Sequence, residues 1–243
     1  MANKGFDCAT PLTRAKADEF VQAGFTFVCR YLVPTGWKRL SAEEAVALSE
    51  AGLKIVSVFE TTADRALGGR SAGLADGQLA AQVAASIGQP EGSTIYFAVD
   101  FDATPSQMPA VIEYIRAASE ATPTFPTGVY GSYVVVDAVR AASVCSHYWQ
   151  TYAWSRGRQA DFINIYQHLN DIPMLGVQID LDEGYGNEGW WTLTMANTLS
   201  PDDANKIIGF LSAAYMATEV QEARDEFHRL ANELRKASGQ PEE

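Results

Sequence analysis

The 243-residue chain, 47% hydrophobic and 20% charged, can bury one large core, and a single α/β barrel commonly takes about 200 to 250 residues. A formal charge of −12 with no cluster of Lys and Arg argues against nucleic acid and against an anionic membrane as partners. No apolar run approaches the roughly 20 residues of a transmembrane helix, and the N-terminus enters a strand pattern without a signal-peptide core. The chain is therefore expected to be made in the cytoplasm and to reach any target outside the cell by release or another export route.

Strand-like runs alternate with helical patterns along most of the sequence. Residues 5–8 form a short first strand, 14–23 a helix and 24–32 a second strand. Ser41 with Glu44 three residues on is a capping-box signature that opens a helix ending near Gly52. A third strand covers 54–60, an Ala-rich helix 76–87 stops at Gly88 and Pro90, a fourth strand covers 95–102, and 106–120 is helical. Residues 128–130, 148–153, 163–167 and 177–182 supply four more strands. An alternating series with eight apolar strands predicts an irregular (β/α)8 TIM barrel over about residues 1–200. Its last quarter leaves too few residues for parallel crossovers, so the final helices are expected to shrink to turns or one late strand to run antiparallel.

The strand ends carry the chemistry. In 95–102, period-2 alternation places Tyr96, Ala98, Asp100 and Asp102 on one face against Ile95, Phe97, Val99 and Phe101. In 177–182, Gln178, Asp180 and Asp182 share a face against Val177, Ile179 and Leu181. Asp7, Arg30, Glu60, Tyr130, Tyr133, Trp149, Trp154 and Gln167 also fall at strand ends. No glycine-rich phosphate loop or G-x-S-x-G elbow is present, and the three histidines are scattered, so neither a metal site nor a cofactor is expected. Carboxylates, amides and aromatics are the inventory of sugar chemistry: paired acids protonate a glycosidic oxygen and stabilise an oxocarbenium-like centre. Cys8, Cys29 and Cys145 read as buried free thiols, with Cys8 and Cys29 on adjacent strands.

Taken in order, Gly-Phe-Asp7, Phe-Val-Cys-Arg30-Tyr, Val-Phe-Glu60, Ala-Val-Asp100-Phe-Asp102, Gly-Val-Tyr130-Gly-Ser-Tyr133, Tyr-Trp149-Gln-Thr-Tyr-Ala-Trp154, Ile-Tyr-Gln167 and Ile-Asp180-Leu-Asp182 resemble the glycoside-hydrolase-like domain of actinobacterial and phage proteins. That family is similar to the family 25 glycoside hydrolases, the muramidases. The resemblance covers roughly residues 3–198. It implies a glycosidase acting on peptidoglycan-type glycan in the bacterial cell wall, in the manner of a muramidase or endolysin. It also implies a catalytic set of Asp100, Asp102 and Glu60. The muramidases end their fourth strand in Asp-x-Glu, and Asp102 falls at that Glu position one methylene short, so Glu60 on the neighbouring strand is the other candidate acid/base. Asp7 and Asp180 match groove acids of the muramidases. The substrate-binding set is then Asp7, Arg30, Tyr130, Tyr133, Trp149, Gln167, Gln178, Asp180 and Asp182, with Arg30 also readable as an ion-pair partner of the acids. The alternative is a catalytically reduced barrel that binds cell-wall carbohydrate without hydrolysis.

Retaining, inverting and substrate-assisted routes all remain open from spacing alone. Trp190-Trp191 either flanks a groove or closes the barrel bottom. After Ser200 the composition shifts. Residues 202–238 read as helix, with Val220, Ala223, Phe227, Leu230 and Leu234 forming a stripe that packs on the barrel or pairs with another copy of the chain. Residues 239–243 are expected to be disordered.

Overall fold

The computed structural model describes residues 2–193 and 199–241. The chain divides into two compact units, Met1–Thr194 and Met195–Glu243. The first is a closed barrel of eight strands in sequential order: β1 (Asn3–Asp7), β2 (Phe27–Tyr31), β3 (Lys54–Phe59), β4 (Ile95–Ala98), β5 (Thr127–Gly131), β6 (His147–Thr151), β7 (Ile165–Met174) and β8 (Val177–Gly184). The helices α1 (Arg14–Gln22), α2 (Ala42–Ala51), α3 (Gly69–Ser86), α4 (Met108–Ala121) and α5 (Tyr133–Ala141) follow the first five strands in turn.

Strands β1 to β7 pair in parallel, and β8 runs antiparallel to both β7 and β1. Both expected ways to absorb the short late spacers are realised: the β6–β7 connection is reduced to turns, and β8 runs antiparallel. Leu175 and Gly176 both have positive φ (52° and 78°), the conformation of a two-residue hairpin turn between β7 and β8.

Period-2 alternation sorts the strand residues into two cores. Phe27, Cys29, Val56, Val58, Tyr96, Ala98, Tyr130, Trp149 and Ile165 fill the barrel, while Val28, Ile55, Phe97 and Val129 face the helices. Gly5 is what lets Phe27 fill the lower barrel, since a Cβ there would stand 2.1 Å from the Phe27 ring. Trp190-Trp191 closes the bottom: Trp191 pairs its backbone with Ile55 and donates its indole N–H to Ser57 Oγ at 3.0 Å, and Trp190 packs against Phe27.

Several elements depart from expectation. Helix α3 begins at Gly69, seven residues before the expected start at Asp76. Glycines lower helix propensity but are needed here. A Cβ at Gly73 would stand 2.1 Å from Tyr114 O, and one at Gly77 would stand 2.7 Å from Ala121 Cβ, so these positions let α3 approach α4 closely. The fourth strand stops at Ala98 instead of reaching Asp102. Helix α5 was not anticipated; its Val135, Val136 and Val139 are buried against the sheet.

The capping box at α2 forms only by half. Ser41 Oγ accepts from the Glu44 N–H at 3.1 Å, but the Glu44 carboxylate turns away to Arg30. The three cysteines are free thiols, and burial pushes Cys8 and Cys145 up to about 12.

The second unit is two helices, α6 (Pro201–Ala217) and α7 (Gln221–Ala237), where one continuous helix was expected. Thr218 and Val220 are extended, and Arg224 Nε donates to Thr218 O at 2.9 Å, so the chain reverses between them. Phe227 and Ala231 of α7 share a groove with Ile208, Leu211 and Tyr215 of α6. Residues 242 and 243 of the expected disordered tail, and 194–198 of the expected barrel segment, lie outside the described residues.

Arg30 illustrates how position on the pleat decides role. It points out of the barrel and is fully buried, donating to both Glu44 oxygens at 2.8 and 3.1 Å and also to Cys8 O. Glu44 Oε1 accepts from Leu12 N–H at 2.8 Å as well. Removing one member of a buried ion pair leaves an uncompensated charge. Glu44→Ala should therefore lower unfolding free energy by about 3 to 5 kcal/mol in urea titrations, and the double change Arg30→Met with Glu44→Leu should cost clearly less.

Candidate active site

Each of the eight strands sends one residue or more to a single pocket at the mouth where β1 to β7 end. Asp7 comes from β1, Tyr31 from β2, Tyr130 from β5, Trp149 from β6, Gln167 from β7 and Asp180 from β8. Glu60 and Asp100 follow β3 and β4 by one and two residues and continue the inward faces of Val58 and Ala98. The cavity measures about 250 Å³. Because β8 is antiparallel, Asp180 reaches the mouth from the strand's first half, and the later Asp182 sits deeper, 1% exposed.

Hydrogen bonds lock the floor. Gln167 Nε2 donates to Asp7 Oδ2 at 2.7 Å and to Asp180 Oδ2 at 3.3 Å, while its Oε1 accepts from the Tyr130 hydroxyl at 2.9 Å. The Trp149 indole N–H donates to Asp182 Oδ1 at 2.9 Å, and Asp171 N–H donates to Asp180 Oδ1 at 2.8 Å. Asp7, Asp180 and Asp182 lie on the facing pair β1 and β8, close enough for their charges to act on one another.

Electrostatics follow from burial. It lifts Asp7 well above the ordinary carboxylate range, with the Asp182 and Asp180 charges adding to the effect. It lifts Asp182 in the same way, against the pull of the Trp149 N–H. Asp180, Glu60 and Asp100 are also raised by burial, and Lys38 works against the rise at Glu60 and Asp100. Lys38 Nζ lies 3.5 Å from Glu60 Oε1 and 4.0 Å from the Tyr31 ring centroid.

Several residues expected at the site lie elsewhere. Asp102 is exposed outside the pocket, because the chain leaves the sheet after β4; Asp100 N–H bonds to Ala63 O at 3.2 Å, not to a strand neighbour. Gln178 pairs with Pro173 on the part of the β7–β8 hairpin that extends past the rim and is exposed. Tyr133 starts α5, with its backbone N–H on Ser155 Oγ at 2.9 Å and its ring under the Arg158 guanidinium at 4.1 Å. Arg30 is on the outer face, paired with Glu44 and not with the site acids.

Tyr31, Lys38 and Asn170 were missed. Tyr31 was legible as the next inward residue after Phe27 and Cys29, whereas Lys38 and Asn170 sit in stretches with no periodic signal. Asn170 Oδ1 is buried in the pocket wall with no hydrogen-bond partner. Among the described residues, no group of three or more His, Cys, Asp or Glu is arranged to hold a metal ion.

A family model described as the Rv2525c-like, glycoside hydrolase-like domain matches residues 18–185. YbfG of Bacillus subtilis is 32% identical over 145 residues, 51% of this chain and 20% of YbfG. The Mycobacterium tuberculosis protein named "Putative peptidoglycan hydrolase Rv2525c" is 28% identical over 156 residues, 60% of this chain and 63% of that protein. The aligned part is thus less than two thirds of either relative's length. The crystal structure of the M. tuberculosis Tat-secreted protein Rv2525c with L-tartrate superposes with a TM-score of 0.71 at 24% identity, covering 78% of this chain and 99% of that chain. The modular autolysin LytC of Streptococcus pneumoniae shares the fold at a TM-score of 0.55 and 12% identity, over 78% of this chain and 47% of LytC.

Asp7 and Asp182 hold their protons more tightly in the fold than in the unfolded chain, where 3.8 is the ordinary value. Their contribution to stability is complete below that value and is lost as pH rises through the raised folded-state values. Thermal midpoints should therefore fall between about pH 5 and about pH 8. Asp182→Asn, which keeps an acceptor for the Trp149 N–H, should flatten the fall. An Asp182→Asn protein whose midpoint falls as steeply as the parent's would count against a proton held on Asp182 in the fold.

Proposed function

This chain belongs to the Rv2525c-like family of glycoside-hydrolase-like domains, and from that premise we propose that it is a glycosidase acting on cell-wall glycan of the peptidoglycan type, muramidase-like in its chemistry. The observation that carries the reading is the convergence of Asp7, Glu60, Asp100 and Asp180 on one aromatic-walled pocket, every one of them raised by burial. A carboxyl that keeps its proton near neutrality is what general acid cleavage of a glycosidic bond requires. Glu60 takes the acid/base role: it sits at the rim, burial favours its protonated form, and the Lys38 ammonium stabilises the carboxylate left after proton transfer. Asp100 supplies negative charge to the oxocarbenium-like centre. Asp7, Gln167 and Asn170 give the pocket the polar lining that sugar hydroxyl and amide groups would meet.

Acting on cell wall places the working protein outside the cytoplasm. No helix among the described residues is long and apolar enough to cross a membrane. One observation favours the alternative of carbohydrate binding without hydrolysis: Asp102, at the position where muramidases carry their Glu, stands outside the pocket.

Reducing ends released from purified peptidoglycan between about pH 4 and 8 test the reading directly. Glu60→Gln and Asp100→Asn should each lower the rate on the order of 10², whereas Asp102→Asn should stay near the parent. Inactivation by Asp102→Asn with Glu60→Gln unaffected would overturn this assignment. Glycan binding by a parent protein that releases no reducing ends would establish the binding reading instead.

A further inference from the structure

Four aromatic side chains line the pocket: Tyr31, Tyr130, Trp149 and Trp154. Three are engaged with the protein. Trp149 is buried with its N–H on Asp182, and Tyr130 packs edge-on against it at 4.7 Å while its hydroxyl donates to Gln167. The Tyr31 ring carries the Lys38 ammonium 4.0 Å from its centroid. Trp154 differs. It is 37% exposed, and among the described residues no other ring, cation or hydrogen-bond partner engages its indole.

The backbone at Trp154 is held against its preference, with φ at +57°. A bulky L-residue adopts that region only when its surroundings enforce it, and such residues cluster at functional sites. The enforcing groups are identifiable. Ser155, next in the chain and buried, donates its hydroxyl to Thr151 O at 2.5 Å and accepts from the Tyr133 N–H at 2.9 Å and from Gln150 Nε2 at 3.3 Å. Gln150 in turn donates to Arg158 O at 2.8 Å and accepts from Ala160 N–H at 3.0 Å, which ties the start of the β6–β7 loop to its later part across Trp154. An aromatic residue wanted only for packing needs neither a left-handed backbone nor an unoccupied face.

We propose that Trp154 is the stacking platform for one pyranose ring of a glycan bound in the pocket, and that the Ser155–Gln150 network is the positioning device that keeps the indole at the pocket wall. The C–H face of a pyranose is apolar and flat enough to lie on an aromatic ring, while its hydroxyls point outward to amides and carboxyls of the kind that line this mouth. In a closed ring of eight strands, β6 stands across the axis from β2. The platform thus belongs to the side of the mouth opposite the strand that carries Tyr31, in a pocket that the acids also line. This inference rests on the glycan reading above and names the residue that would hold the sugar face.

The test uses the full chain and a soluble β-1,4-linked tetramer of N-acetylglucosamine, with binding followed by calorimetry and melting recorded in parallel. Trp154→Gly suits the left-handed backbone, so it should fold with the parent's cooperative transition and bind at least about tenfold more weakly. Trp154→Phe retains an aromatic face and should lose less than the glycine variant. Ser155→Ala should weaken binding with the indole still present, and Trp154→Gly should make that second change silent, because the network acts only through the ring. Parent-like affinity in Trp154→Gly overturns the platform, and so do equal losses in the glycine and phenylalanine variants. A parent protein that binds neither this tetramer nor peptidoglycan fragments overturns the glycan reading itself, and the platform with it.

Discussion

The closing pair of the barrel, β8 against β1, is the constraint from which the site follows. Its antiparallel register sets Asp7 opposite Asp180 and Gly5 opposite Asp182. With side chains alternating across each strand, all three carboxyls must then point inward. Burying ionised carboxylates side by side is prohibitive, so the interior has to hold protons, hydrogen-bond donors or both. Trp149 and Gln167 provide the donors, and burial favours the protonated forms of Asp7 and Asp182. Gly5 follows from the same register, since the barrel below the acids has to admit the Phe27 ring.

Buried charge is handled in opposite ways on the two sides of the sheet. Outside, Arg30 and Glu44 neutralise each other with two hydrogen bonds, and Arg65 pairs with the largely buried Asp76 at 2.8 Å. Inside, among the described residues, no guanidinium lines the mouth, and the Lys38 ammonium meets it only at Glu60. A fold that pairs its charges carefully on one face and leaves acids gathered on the other is not short of compensating residues. The uncompensated face is where chemistry is expected, because raised carboxyl pKa values are useful there and costly elsewhere.

Much of this arrangement was legible in the sequence because period-2 alternation does not depend on strand direction. It placed Asp100 and Asp180 on inward faces without any knowledge that β8 is reversed, and the short spacers before β8 hinted at the reversal. The same pattern failed at Asp102 and Gln178 for one reason: alternation says which face a residue would occupy, but not where a strand leaves the barrel. At Asp102 the backbone has already turned away from β5, and at Gln178 the hairpin has risen past the rim. Arg30 was misassigned because a charged residue in a strand draws attention to the acids, although its parity with Val28 put it on the helix side. Lys38 had no signal, since a loop residue reaches a pocket through the path of the loop and not through any repeat, and Asn170 lies in β7 within a register shift that breaks the alternation.

On the proposed platform reading, the β6–β7 loop is what would let an acid-rich mouth discriminate between ligands. Acceptors alone recognise hydroxyls without regard to shape. A flat apolar surface fixed beside them adds a second requirement, that the donor groups lie around the edge of a ring. The β6–β7 loop builds that surface from residues that neither the barrel core nor the hydrogen-bonded floor needs, and it holds a strained backbone there through the buried hydroxyl of Ser155. On this reading strand ends would supply the reactive groups, whose positions the register dictates, while the loop would supply the selective one, whose position has to be enforced separately.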